Sequence, residues 1–249
     1  PLKRKLLGFR YRGRRDRLYA LLGRLWDAGD ESGPTLLGRA RSVAKGLGDV
    51  SREELLQQIP HWMFTFTGSG SDLLGRTLAL VTARAEVHRR VLEEIGEAGD
   101  LADPATVDGL PYLDACLREA GRLFPPVTRT FHHPVGSRGA PAAADGGAEL
   151  VHYFPLLQRD PSLGASVHTF RPERWLAPEL DAPAAASNLF LRGPRACPGE
   201  DLILFVCRVA IARQLGELGM DVRPSRLSRD PLPVSFPAGE AHFITQEAS

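Results

Sequence analysis

A mainly α-helical fold with a minor β component is what this 249-residue sequence predicts, on three observations. Apolar residues recur at helical spacing through most of the chain. Glycines and prolines gather between those stretches and punctuate them. Strand-type patterning is confined to short runs, the best of them at residues 147–154. With 43% hydrophobic residues the chain can bury a substantial core. The balance of 31 basic against 30 acidic side chains names no charged partner. Three cysteines far apart in sequence give no disulfide framework and fit a reducing, cytoplasmic setting. No run of about 18 apolar residues predicts a membrane span, and the basic start lacks the apolar core of a secretory signal. The Ala, Gly and Arg bias suggests a GC-rich bacterial source.

Residues 1–50 predict helices. The first combines Lys3, Arg4, Lys5, Arg10, Arg12, Arg14, Arg15 and Arg17 with Leu18, Leu21, Leu22, Leu25 and Trp26 at helical spacing. A solvated helix face accounts for this, and no aromatic interleaving supports nucleic-acid binding. Residues 29–34 break it, and a short helix follows at 35–47. Ser51-x-x-Glu54 is a capping box that opens the longest helical candidate, 51–96, running through Leu55, Ile59, Met63, Leu73, Leu78, Val81 and Ile95. Gly68-Ser69-Gly70 in its middle predicts a local distortion. Those glycines also suggest a phosphate-cradling loop, but no Gly-Lys-Ser/Thr follows and no strand–helix alternation surrounds them.

The next helix spans 110–124, preceded by a turn at Asp103-Pro104 and stopped by Pro125-Pro126. Residues 127–189 read as a small sheet and irregular packed chain, with a low-complexity connector at 140–147. Residues 190–218 comprise a cysteine-bearing loop and then a helix from about 201, with Leu202, Phe205, Val206, Val209 and Leu215 on a broad apolar face. Prolines punctuate 221–237, where a terminal hairpin is expected. The whole, 1–249, reads as a single domain.

The chemistry concentrates at Phe190-Leu191-Arg192-Gly193-Pro194-Arg195-Ala196-Cys197-Pro198-Gly199. Cys116 and Cys207 lie inside apolar helical patterns and read as buried hydrophobes. Cys197 instead sits among loop glycines and charges just before a helix, where backbone N–H groups and the helix dipole favour a thiolate. Glycines let a flat cofactor approach the sulfur, and Arg195 can reach an acidic edge. Upstream, Glu119 and Arg122 share one face of an otherwise apolar helix, which points to a partly buried pair. Arg174, in Phe170-Arg171-Pro172-Glu173-Arg174-Trp175, is available as its third member. His132-His133 lacks the spacing and neighbours of a zinc site.

These blocks, Glu-x-x-Arg, Phe-x-Pro-Glu-Arg-Trp and Phe-x-x-Gly-x-Arg-x-Cys-x-Gly in that order, resemble the cytochrome P450 family. The resemblance covers residues 51–249 and implies the C-terminal, heme-ligating part of that fold. Cys197 is then the proximal ligand of heme b (iron protoporphyrin IX), flanked by Phe190, Gly193 and Gly199, with Arg195 on a propionate. Arg129, His132 and His133 are weaker candidates for the other propionate. Glu119, Arg122 and Arg174 form the structural triad, and 51–96 becomes the central distal helix. Aligned this way, Gly68 stands where the family commonly has an acid and Ser69 where it has an alcohol. Ser69 is the expected catalytic hydroxyl, with Asp72 assisting through water. The implied function is a monooxygenase acting on a small to medium organic substrate, fed by a ferredoxin or flavoprotein reductase. The missing acid and the short N-terminal part motivate two alternatives, a non-catalytic scaffold or activator, and a heme-thiolate peroxygenase or isomerase. The family's long N-terminal part does not fit in 1–50, so the chain is expected to be a fragment or a truncated member.

Overall fold

The computed structural model describes residues 2–29, 35–47, 50–132, 150–177, 181–222 and 226–245. The chain clusters into two compact units, residues 1–67 and 68–249, where the sequence reads as one domain. The boundary falls at Thr67-Gly68, inside the glycine-bearing stretch expected to be distorted.

The first unit holds α1 (Leu2–Ala28), α2 (Leu36–Leu47) and α3 (Arg52–Thr65). The Ser51 capping box forms: the Glu54 N–H donates to Ser51 Oγ at 3.2 Å and the Ser51 N–H to Glu54 Oε2 at 2.8 Å. Two of the four unpaired donors at the helix start are satisfied this way. Leu22, Leu56 and Ile59 make a small core with Tyr19, Trp26, Leu37 and Trp62. Arg52 binds Asp27 through both carboxylate oxygens at 2.9 Å, and Arg41 donates to the Trp26 carbonyl. Arg12, Arg14, Arg15 and Arg17 are exposed, as a solvated helix face requires.

The helical path continues through a single π turn, Phe66–Gly70, into α4 (Ser71–Thr82). The helix expected over 51–96 then stops, and α5 (Ala85–Ala98) starts after Arg84 adopts extended backbone. The cause is tertiary. Arg84 forms a two-point ion pair with Asp230 and stacks over the Phe170 ring. No periodicity within 51–96 encodes those partners.

After α6 (Pro104–Asp108) comes α7 (Pro111–Leu123). Its first turn is capped from α5, because the Tyr112 and Leu113 N–H groups donate to the two carboxylate oxygens of Glu94 at 2.6 and 2.8 Å. Burial pushes the Glu94 carboxyl up, against the downward pull of those two bonds. A two-stranded antiparallel sheet pairs β1 (Arg129–His132) with β2 (Leu150–Tyr153). The strand candidate at 147–154 is thus realised from Leu150 onward, while 147–149 and the connector lie outside the described residues. Short helices α8 (Phe154–Leu157) and α9 (Ala182–Ala185) bracket irregular chain, and α10 (Glu200–Leu218) follows the cysteine loop.

Among the described residues of 221–237 the expected hairpin does not form. Instead β3 (Met220–Val222) pairs with β4 (Phe243–Thr245), beyond the prolines at 231, 233 and 237, which have no N–H for a ladder. The main core joins Leu78, Leu80 and Val81 of α4, Leu113, Leu117 and Leu123 of α7, and Leu204 and Ile211 of α10. Among the described residues no helix is long and apolar enough to cross a membrane.

Candidate functional site

The cysteine loop is shaped by two residues in the left-handed region, Leu191 at φ 62° and Gly193 at φ 69°. Glycine adopts this backbone freely, whereas for Leu191 it stores about 1 kcal/mol or more of strain. The loop closes where the Cys197 N–H donates to the Phe190 carbonyl at 2.7 Å, and α10 begins where the Glu200 N–H reaches the Cys197 carbonyl. Cys197 is a free, partly buried thiol. A Cβ on Gly199 would sit 3.8 Å from its sulfur, and one on Gly193 would meet nothing within 4 Å. Open space therefore borders the loop at Gly193, while a side chain at position 199 would come into contact with the sulfur. Arg195 is exposed, with no hydrogen-bond partner among the described residues.

Glu119, Arg122 and Arg174 come together as expected, and all three side chains are fully buried. Five donors converge on the Glu119 carboxylate. Arg122 takes both oxygens from Nε and Nη2 at 2.8 Å each, Arg174 Nε donates at 3.0 Å, Trp175 Nε1 at 3.0 Å and the Arg171 N–H at 3.2 Å. Asp181 supplies the second negative charge, accepting from Arg174 Nη1 at 2.6 Å, so two guanidiniums face two carboxylates. Paired and saturated in this way, buried charges are tolerated; unpaired, they are not.

The cluster is wired to the cysteine loop. Arg122 Nη1 donates to the carbonyls of Gln158 and Val167, and Gln158 Oε1 accepts from Ser187 Oγ at 2.8 Å and the Asn188 N–H at 3.0 Å. The Asn188 carbonyl accepts the Leu191 N–H, which leads into the Phe190–Cys197 closure. Leu189 packs on α7 at Gly121, where a Cβ would lie 2.3 Å from Leu189 Cδ2. On the other flank, Arg118 of α7 bridges Asp114 and Glu200, which neutralises the acid at the start of α10. Asp181, Ser187, Leu189 and Gly121 were not singled out from sequence. Asp181 lies in the Pro/Ala-rich stretch with no motif around it, whereas Trp175 at least belongs to a recognisable block.

Further along α10, Cys207 Sγ lies 3.8 Å from the carbonyl of Gly70, the last residue of the π turn. In that turn Thr67 Oγ1 donates to the carbonyls of Met63 and Phe64, and Ser71 Oγ to that of Gly68. Ser69 is exposed and its hydroxyl is not spent on the helix backbone. A Cβ on Gly68 would meet nothing within 4 Å. Asp72 is held by Arg76 at 2.7 Å, so its carboxylate is engaged on its own helix. Arg129 is exposed and lies over the Phe131 ring; His132 packs against His152 across the strands, and His133 lies outside the described residues.

Among the described residues no group of three His, Cys, Asp or Glu side chains could hold a metal ion.

The cytochrome P450 family model matches residues 36–233. Among similar proteins, the cytochrome P450 monooxygenase sphH of Aspergillus fumigatus is 28% identical, over 73% of this chain and 36% of its own length. Cytochrome P450 monooxygenase 81 of Postia placenta is 27% identical, over 82% of this chain and 42% of its own. Cytochrome P450 monooxygenase atr2 of Stereocaulon alpinum is 30% identical, over 63% and 32%. The chain thus spans well under half the length of these relatives. They are eukaryotic, so the bacterial source read from composition has no support among them. With the family's three motif blocks assembled into one clamp and cysteine loop, and its model matched over most of the sequence, the chain belongs to the cytochrome P450 family.

Proposed function

We propose that this chain forms the thiolate-bearing part of a monooxygenase that oxidises a small to medium organic substrate, with heme b held through Cys197. The observation that carries the reading is the cysteine loop: a free, partly buried cysteine with Gly199 beside its sulfur, anchored to a saturated ion cluster. The residues fit the group. Gly193 borders open space and a Cβ on Gly199 would stand in contact with the sulfur, Phe190 lies half-buried next to the core, and Arg195 offers an unspent guanidinium to a propionate. When bound, heme supplies the oxidising chemistry, and a thiolate ligand favours O–O cleavage.

The protein's own part is to hold the sulfur, keep it in place and manage protons on the other side. Ser69 Oγ, not bonded to its own helix, is the group proposed to pass a proton at the π turn. Electrons are proposed to arrive from a ferredoxin or flavoprotein reductase docking near the cysteine loop, where Arg192 is exposed to an acidic partner. The three free cysteines suit a reducing compartment.

The test is the carbon monoxide difference spectrum of the reduced, heme-loaded protein. A Soret band of thiolate-ligated heme in the wild type, absent in Cys197→Ala, is expected; the same spectrum from both proteins excludes Cys197 as ligand. One observation favours a second reading. Gly68 offers no acid and Asp72 is tied to Arg76, so a peroxygenase or isomerase that needs no such relay fits equally well. Turnover with peroxide but not with a reductase selects it.

A further inference from the structure

Adjacent residues of α7 reach the two ends of the cysteine loop. Glu119 anchors the entry side through Arg122, Gln158 and Asn188, whereas Arg118 reaches the exit side, where α10 starts. Arg118 Nη1 donates to Glu200 Oε1 at 2.9 Å while its Nε donates to Asp114 Oδ2 at 2.6 Å. Asp114 is shared with Arg208 of α10, which also binds Asp108 of α6 at 2.7 Å. Among the described residues Arg118 is the cation bound to the Glu200 carboxylate. Both side chains of this pair are about two-thirds buried, so salt screens them less than it screens a free surface pair.

Glu200 opens the helix beside the sulfur. Gly199 is the N-cap of α10 and Glu200 its first residue, and a Cβ on Gly199 would lie 3.8 Å from Cys197 Sγ. With consecutive Cα atoms about 3.8 Å apart, the Glu200 backbone stands within about 9 Å of that sulfur. This separation is comparable with the Debye length of about 10 Å at 0.1 M salt. The positive end of the helix dipole favours one anion here, and a thiolate and an unpaired carboxylate would repel each other across it. The Arg118 guanidinium cancels the second charge. We infer that Arg118 is a positioning residue that acts through Glu200 to set the electrostatic potential at the Cys197 sulfur. The inference rests on the role proposed for Cys197 only in its consequence: with heme bound there, an unpaired Glu200 favours the more positive iron and lowers its reduction potential.

The full chain without heme is alkylated at one fixed pH with iodoacetamide, which is neutral, and with iodoacetate, which is an anion. Peptide mapping separates Cys197 from the buried Cys116 and Cys207. The ratio of the two rates at Cys197, iodoacetate over iodoacetamide, reads the local potential, because thiolate fraction and access to the sulfur act on both reagents alike. Arg118→Gln leaves Glu200 unpaired and should lower the ratio about twofold or more, and Glu200→Gln should raise it by a similar factor. The double variant should return close to the wild type, and Arg118→Lys should keep the wild-type ratio. A purely structural role would change both rates together and leave the ratio unmoved. An unchanged ratio in either single variant, or shifts of both in the same direction, would overturn the inference. Because no heme takes part, that failure is distinct from a missing thiolate band in the carbon monoxide spectrum, which would overturn the role of Cys197 instead.

Discussion

Replacing Glu119 with Gln keeps the shape of the side chain and removes one negative charge from a fully buried ion cluster. The wild-type carboxylate accepts three bonds at Oε1, from Arg122 Nη2, Arg174 Nε and the Arg171 N–H, and two at Oε2, from Arg122 Nε and Trp175 Nε1. A glutamine offers one oxygen and one NH₂. In its better orientation the NH₂ replaces Oε2, and two donors face another donor. Two guanidiniums are then left with Asp181 as their single counter-charge. Breaking a buried pair costs about 3–5 kcal/mol, roughly a fifth or more of the stability of an ordinary domain. With a urea slope of about 1–3 kcal/mol per molar, the unfolding midpoint followed by circular dichroism should fall by at least about 1 M. Because the cluster reaches Cys197 through Gln158, Ser187 and Asn188, the loop should loosen too, and the Cys197 thiol should alkylate faster than in the wild type. A midpoint shift under a third of that value, with an unchanged alkylation rate, would refute the reasoning that this cluster anchors the loop.

Gly121→Ala drives a methyl to within 2.3 Å of Leu189 Cδ2 and should cost about 1–3 kcal/mol in urea unfolding, partly recovered by adding Leu189→Ala. Equal stability of the single and double variants would show that the two do not meet. Arg118→Ala removes a pair whose side chains are about a third exposed, so its cost should stay near 1 kcal/mol or below, several-fold less than Glu119→Gln; a comparable loss in the same assay argues against burial as the controlling factor. Burial pushes the Cys207 thiol up to about 11 from an ordinary value of 9.0. A raised pKa means that the folded state holds the proton more tightly, so this contribution is complete below about pH 9 and is lost as the pH rises through about 11. Stability measured across that window should fall less steeply in Cys207→Ala than in the wild type; identical slopes would place the alkaline loss elsewhere, the fully buried Cys116 being the next candidate.

The helices were legible because their apolar spacing, the Ser51–Glu54 box and the bounding prolines are local properties of the chain, and local properties survive folding. Glu119 and Arg122 share a face because they are three residues apart, whereas the apolar face expected of α10 is only partly the buried one: Leu215 is buried, but Leu202 and Val206 are exposed and Leu204, Cys207 and Ile211 are buried in their place. Where a distant segment intervenes, local reading fails. The break after Thr82 depends on Asp230 and Phe170, and β3 finds its partner more than twenty residues on, at Phe243–Thr245. The distortion at Gly68-Ser69-Gly70 was expected, but its form as a π turn was not, nor was the division of hydroxyl bonds that leaves Ser69 free while Thr67 and Ser71 bond their own helix.

The sequence by itself singled out the residues proposed to carry the chemistry, Cys197 between its glycines and Arg195 beside it, and the ion-cluster residues Glu119, Arg122 and Arg174 upstream. Their types and spacings are one-dimensional facts. Only the tertiary structure decided how they are joined. Asp181 balances the second arginine, Gln158 passes the anchor to Ser187 and Asn188, and Gly121 makes room for Leu189. Those contacts bridge residues that are far apart in the chain, and a buried charge or a close approach acquires its partner only when the chain has folded around it.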